Sequence, residues 1–323
     1  MIKFIACVRA VYTRMLESPH SHRQMKCDMS EKIFKTAAVD GGDYQYAAWP
    51  GEGETLLLVH GITASHMAWP RFVREFGSAR QLLAPDLRGR GQNATLPAPY
   101  GFAQHIDDIC RLLDAEGLDR VVWAGHSLGA YIGLDFAHKH PDRVAGLVLV
   151  DGGIALPLRE GKTPEEVIKA VLGPALARLE KTFASREAYH EFWQAHPAFQ
   201  DTDAWNEDVR AYVDYDLAGE PPNMRSVVNP AAIEVDSYGP MAPSMVTRID
   251  EVKCPTLLLT APRGLLNQAQ ALLPPAAVAA AAERNEHVSV EEIEDTNHYS
   301  ILTGAGAGRV AEAVKRFLDR QRL

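Results

Sequence analysis

Short apolar runs alternate along this chain with segments whose apolar residues recur at helical spacing. Residues 55–59, 81–84, 120–124, 144–150 and 254–260 are near-continuous apolar runs, and a further strand is expected near 288–293. Runs of this kind suit strands buried on both faces of a parallel sheet. Between them lie helix-compatible stretches at 69–76, 102–116, 130–140, 275–284 and from about 299 to 317 or beyond. In 102–116 the apolar residues Ile106, Ile109, Cys110 and Leu113 share one face, and Gly117 stops the helix. Ahead of these units, 33–39 and 44–49 flank Asp40-Gly41-Gly42-Asp43, a hairpin signal that predicts an antiparallel edge. Strands alternating with helices predict an α/β fold with a doubly wound, mostly parallel sheet.

The rhythm breaks between 154 and 245. That stretch holds helical patterns at 164–181, 186–194 and 205–217, and it contains no clear strand. It is rich in aromatic residues and carries eight Lys/Arg against fifteen Asp/Glu. An inserted helical cap over the strand ends is the expected arrangement, within a core of 29–153 and 246–323. Most of its aromatics are expected to pack between cap and core, with a minority facing a pocket.

Gly125-His126-Ser127-Leu128-Gly129 closes the run at 121–124 and opens the helix at 130–140. Strand, G-x-S-x-G and helix in that order make a nucleophile elbow, with the serine on a strained turn above the sheet. Serine needs a base, an orienting group and donors for the developing oxyanion. His298 stands in the loop after the last predicted strand, where the base belongs in the chain order serine, acid, histidine. The oxyanion donors are expected to be the amides of Leu128 and Ile62, the latter in the loop after 55–59. His60 is expected to tie neighbouring loops together by hydrogen bonds. His126, the variable residue of the elbow, is expected to point away from the nucleophile. Thr63, His126 and Trp193 are candidates to line the substrate pocket.

Composition narrows the partners. The 323 residues are 46% hydrophobic and 23% charged, ordinary values for a globular protein. The formal charge of −9 implies no basic surface for nucleic acid. No apolar run is long enough for a membrane span. Cys7, Cys27, Cys110 and Cys254 are scattered without C-x-x-C, which favours reduced thiols in a cytoplasmic protein over disulfides or zinc. Residues 1–28 read as a disordered leader or a non-native start before Met29, and His20 and His22 within them as part of that leader in preference to a metal tract. Gly304-Ala305-Gly306-Ala307-Gly308 lacks dinucleotide spacing and reads as a flexible entry to the last helix.

Four ordered motifs carry a resemblance: His60-Gly61, Asp-Leu-Arg-Gly-Arg-Gly at 86–91, the elbow, and Asn297-His298. Together they resemble the α/β-hydrolase superfamily over about 30–153 and 250–320, specifically its capped, esterase-like serine hydrolases. The resemblance implies a triad acid soon after the strand at 256–260, but Ala261-Pro262-Arg263-Gly264-Leu265-Leu266-Asn267-Gln268 offers no carboxylate. Some members, certain dehalogenases among them, place the acid after the strand that follows the nucleophile helix. That position here is Asp151; its rivals are Asn267 as a neutral orienter and Asp295. Relatives that open epoxides or remove halides use Asp as nucleophile, so Ser127 favours acyl transfer on an ester, thioester, lactone or amide, with no cofactor. Asp86 to Gly91 is expected to shape a loop near the site. Alternatives on the same fold are a carbon–carbon bond hydrolase, a cofactor-free perhydrolase, a small-ligand receptor and a pseudoenzyme.

Overall fold

A computed structural model describes residues 32–155, 161–200 and 205–323. The leader at 1–28, with His20 and His22, lies outside the described residues. Among the described residues the ten strands are β1 (Ile33–Val39), β2 (Gly42–Trp49), β3 (Leu56–Val59), β4 (Leu82–Pro85), β5 (Val121–His126), β6 (Val144–Val150), β7 (Leu217–Ala218), β8 (Arg225–Ser226), β9 (Thr256–Thr260) and β10 (Val288–Glu292). Eight of them form one sheet in the order β1-β2-β4-β3-β5-β6-β9-β10. β1 and β2 form the expected hairpin, β2 runs antiparallel to β4, and every later pairing is parallel.

Side chains alternate across a strand, so each apolar run feeds two cores. Leu56, Leu58, Val122, Ala124, Val148, Leu257 and Leu259 face one layer, built from α1 (Pro70–Phe76) and the C-terminal α11 (Gly306–Gln321). Leu57, Val59, Trp123, Leu147, Leu149 and Leu258 face the other, built from α2 (Phe102–Ala115), α3 (Leu128–Lys139) and α9 (Pro275–Arg284). Both faces are covered, which is why the central strands read as continuous apolar runs. Each fully buried Leu, Val or Phe contributes roughly 1.5–3 kcal/mol of transfer free energy, and together these hold the sheet between its two helical layers.

Between β6 and β9 the chain forms α4 (Pro164–Leu179), α5 (Arg186–Gln194), α6 (Glu207–Asp216), α7 (Pro230–Asp236) and α8 (Met245–Arg248). Thr163, Ser185, Asn206 and Asn229 cap the first four of these with side-chain oxygens on backbone amides. One expectation fails here: β7 and β8 form a small antiparallel ladder in the insertion. Two-residue strands carry no periodicity, so the pattern of residues could not reveal them. A second correction concerns the glycine run. The short helix α10 (Ser300–Thr303) turns directly into α11, and a Cβ on Gly306 would meet the Ile301 Cα at 2.7 Å. Close packing, and not a flexible entry, is what that glycine serves.

Candidate active site

Ser127 follows β5 directly and sits at φ 52°, ψ −118° before α3 begins. A non-glycine residue in this region is strained. The strain is held in place by close backbone approaches: a Cβ on Gly125 would lie 2.2 Å from the Gly129 carbonyl oxygen, and one on Gly129 would lie 2.2 Å from that of Val59. Ser127 N–H donates to the Val150 carbonyl at 2.9 Å, and the Trp123 indole to that of Gly129 at 2.9 Å. The elbow is thereby tied to its neighbouring strand and to its own helix.

Asp151 is the residue that follows β6, and it too has a positive φ, 46°. It is fully buried. Its amide donates to the Leu259 carbonyl at 2.7 Å, and its Oδ1 accepts the Ala261 amide at 3.1 Å. Its Oδ2 faces His298 Nδ1 at 2.6 Å. A proton on Nδ1 makes this a short charge-assisted bond and leaves Nε2 as the basic atom. The rivals are elsewhere. Asn267 Oδ1 accepts from the Arg263 side chain at 2.7 Å, and Asp295 is exposed. Neither is paired with His298.

The histidine loop has its own supports. Asn297 Oδ1 accepts the amides of Tyr299 and Ser300, both at 2.9 Å, an Asx turn that starts α10. Its Nδ2 donates to the Ala198 carbonyl of the insertion at 2.9 Å. His126 is tied to this loop. Its Nε2 meets the His298 carbonyl at 2.9 Å, and the two rings lie 4.6 Å apart. Burial, with the neighbouring His298 adding to it, pushes the His126 pKa well below the usual histidine value. A neutral His126 with its proton on Nε2 fits that bond.

The loop after β3 presents the second set of amides. Neither the Ile62 nor the Leu128 amide has a hydrogen-bond acceptor among the described residues. Leu128 is 2% exposed and begins α3, so its N–H is one of the unpaired donors at a helix N-terminus. The carbonyls of the Ile62 loop, by contrast, are all held. His60 Nδ1 binds the Gly61 oxygen at 2.7 Å, and His60 Nε2 accepts the Leu87 amide at 2.9 Å. That pair of bonds fixes the tautomer with the proton on Nδ1. Burial lowers the His60 pKa to about 3 against the opposing pull of Asp86, so the ring is neutral. His60 thus links the β3 and β4 loops, as expected. Arg90 Nε donates to the Ile62 carbonyl at 2.8 Å. Asp86 accepts the His66 amide at 2.8 Å, the His66 ring at 2.9 Å, the Gln92 amide at 2.9 Å and the Tyr215 hydroxyl of α6 at 2.6 Å. Burial raises its pKa, but the bonds and charge of His66, then His60 and Tyr215, outweigh that and lower it to about 2. The loop from Asp86 to Gly91 is therefore a brace beneath the site.

Two small cavities meet at Ser127. One is lined mainly by apolar groups, among them Ile62, Leu128, Val171, Met241 and Leu265. The other is lined by Thr63, His126, His298, Tyr212 and Tyr299 among others. They leave about 50 and 40 Å³ for the centre of a water-sized sphere, against roughly 10–15 Å³ for one water. Each has room for a few waters or a small organic group. Ser127 Oγ and His298 share the second cavity without a closed hydrogen bond between them. Such bonds commonly tighten only when substrate is bound.

Of the sequence-predicted pocket residues, Thr63 and His126 are in the wall and Trp193 is not. Trp193 is 3% exposed and packs edge-on behind Tyr212 and Tyr299, at 6.1 and 6.3 Å between ring centroids. Its place is in the aromatic cluster that seats α5 on the core. Met241 and Val171 of the insertion and Leu265 of the loop after β9 line the site without any signal in the sequence, because apolar residues in such segments look alike whether they face a cavity or a core. No group of three His, Cys, Asp or Glu among the described residues is placed to hold a metal ion. No described helix is long and apolar enough to cross a membrane.

A sequence model described as the alpha/beta hydrolase fold matches residues 54–305, and the chain belongs to that family. Lipase LipV of Mycobacterium tuberculosis is 34% identical over 138 residues, 41% of this chain and 51% of LipV. A putative carbamate hydrolase, RutD of Caulobacter segnis, is 34% identical over 120 residues, 36% of this chain and 45% of RutD. The chain thus spans about half the length of these relatives. The crystal structure of E-2-(acetamidomethylene)succinate hydrolase superposes with a TM-score of 0.74 at 20% identity, covering 90% of this chain and all of that one. At that identity the likeness speaks for the fold alone.

Proposed function

We propose that this protein is a serine hydrolase that cleaves small carboxylic esters, or thioesters and lactones, through an acyl-enzyme. The observation that carries the reading is the fully buried Asp151 within 2.6 Å of His298 Nδ1, beside a strained Ser127. Ser127 Oγ attacks the carbonyl carbon and its proton passes to His298 Nε2. Asp151 keeps the imidazole in the right tautomer and stabilises the imidazolium. The amides of Ile62 and Leu128 receive the oxyanion. On collapse, His298 returns the proton to the leaving alkoxide. Water then repeats the sequence on the acyl-enzyme and releases the acid. No cofactor is required for these steps.

The segment 154–245 acts as the cap, with 29–153 and 246–323 as the core. The apolar cavity suits the acyl part and the cavity shared with His298 suits the leaving group, because that group must receive its proton. The scattered cysteines support a cytoplasmic setting. The likeness to RutD favours a second reading in which the scissile bond is a carbamate or amide C–N bond. The same residues would serve it, with His298 protonating a nitrogen.

Labelling with a serine-directed fluorophosphonate, located by mass spectrometry, tests the core of this proposal. Wild-type protein is expected to carry one label on Ser127, and Ser127→Ala none. A label elsewhere, or none on folded wild type, would overturn it. Turnover of an aryl acetate beside an aryl carbamate separates the two readings.

A further inference from the structure

The three carbonyls of the oxyanion loop are held from two directions. His60 and Arg90, which hold Gly61 and Ile62, belong to the core. The next one, Thr63, is held by the insertion: Arg178 Nη2 of α4 donates to its oxygen at 3.3 Å. Arg178 is 1% exposed and is where four elements of the insertion converge. Its Nη1 donates to the Tyr189 hydroxyl of α5 at 2.7 Å, to Asp216 Oδ2 at the end of α6, and to Ser226 Oγ of β8 at 3.4 Å. Tyr189 and Ser226 in turn donate to Asp216. The guanidinium also lies 5.0 Å over the Trp193 ring. A planar fork with several donors can satisfy this network and still reach a backbone oxygen, which an ammonium cannot do from one point.

We propose that Arg178 is a positioning residue for the oxyanion loop, so that the seating of the cap and the alignment of the Ile62 amide are a single event. The proposal rests on the reading of Ile62 as an oxyanion donor. The Ile62 amide lies in the Gly61–Ile62 peptide, whose carbonyl His60 holds, and the bond from Arg178 to the Thr63 carbonyl anchors the same loop two peptides further on. The Ile62 amide is then fixed before charge develops, which is the condition under which such donors contribute most. The cap thus has a part in catalysis without touching substrate through this residue.

The test compares full-length variants on a short aryl ester. Arg178→Met alone would strand a buried carboxylate, so the informative variant is the double substitution R178M/D216N. Its kcat is expected to fall ten- to a hundredfold with KM within about threefold. Affinity for a trifluoromethyl ketone that forms an oxyanion on Ser127 should fall in parallel, while binding of the product carboxylate should hold. Arg178→Lys should lose less than the double variant and more than twofold. Tyr189→Phe, which leaves the bond to Thr63 intact, should keep kcat within twofold. A folded double variant with kcat within twofold of wild type would overturn the proposal. If the double variant does not fold, wild-type kcat in Arg178→Lys does the same. An equal loss in Tyr189→Phe would also overturn it, since general loosening of the cap would then be the cause. If wild type takes no phosphonate on Ser127, the hydrolase reading falls and this proposal with it. If labelling is normal and only the Arg178 variants are neutral, this proposal alone fails.

Discussion

Asp151→Asn removes one charge and leaves shape and volume nearly unchanged. The Ala261 amide must still find an acceptor, and the amide oxygen of the new side chain can provide it in place of Oδ1. The NH₂ group then faces His298 Nδ1 across the 2.6 Å gap. Two donors cannot share that contact, so Nδ1 becomes the acceptor and the proton moves to Nε2. The base then presents a donor to Ser127 Oγ and cannot take its proton. In a serine-protease triad the corresponding change lowers kcat by roughly 10⁴. That is about 5.4 kcal/mol at 1.36 kcal/mol per tenfold change in rate. We expect a loss of 10³–10⁴ in kcat on an aryl acetate, with KM within a few-fold. Fluorophosphonate labelling of Ser127 should slow in proportion, since it needs the same base. Thermal melting should shift little, because the buried bonds of Asp151 to Ala261 and Leu259 persist. Folded Asp151→Asn protein with kcat within tenfold of wild type would refute the assignment and send the search for the acid elsewhere.

Gly152→Ala would place a Cβ 2.5 Å from the Ser127 carbonyl oxygen; labelling of Ser127 should fall by at least tenfold, and unchanged labelling would contradict the tight contact between the two strand ends. Met241→Trp fills the apolar cavity, so the ratio of butyrate to acetate ester turnover should drop several-fold, whereas an unchanged ratio would place the acyl group elsewhere. Stability should depend on pH through His60 and His126, both held neutral by burial, His60 with its pKa lowered to about 3. The unfolded chain takes up their protons near pH 6.5, so this stability is fully present above that pH. It is lost as pH falls toward the folded-state values, at up to about 1.4 kcal/mol per pH unit for each histidine. Asp86, lowered to about 2, has its own loss below about pH 4, outside the range from pH 7 to 5. Urea midpoints that stay flat between pH 7 and 5 would contradict the burial of both rings.

Local pattern was enough for the sheet. Periodicity located the eight strands of the main sheet and the helices that cover it, because a strand buried on both faces and a one-sided helix each leave their own spacing in the chain. Ser127 was legible for a related reason: the strained turn requires glycines on both sides, and the order strand, turn, helix can be read in sequence. His298 followed from its place after the last strand. The same reasoning favoured Asp151 as the orienting group and left Asn267 and Asp295 as its rivals. All three adopt a positive φ, and what separates them is which one ends within reach of Nδ1, a distance spanning 147 residues of chain.

The sequence by itself therefore determined the architecture, the elbow and the order of the candidate groups, since these depend on contacts among neighbours in the chain and on the alternation of buried faces. Only the tertiary structure decided that Trp193 lies behind the pocket wall, that His126 turns to the His298 carbonyl, and that Arg90 and Arg178 hold successive carbonyls of the Ile62 loop. Contacts between loops far apart in the chain set the places of His126 and Arg90, and those of Trp193 and Arg178 are set by how the insertion packs on the sheet. Its apolar and charged residues satisfy the same local rules in many arrangements, and the distances between distant segments choose among them.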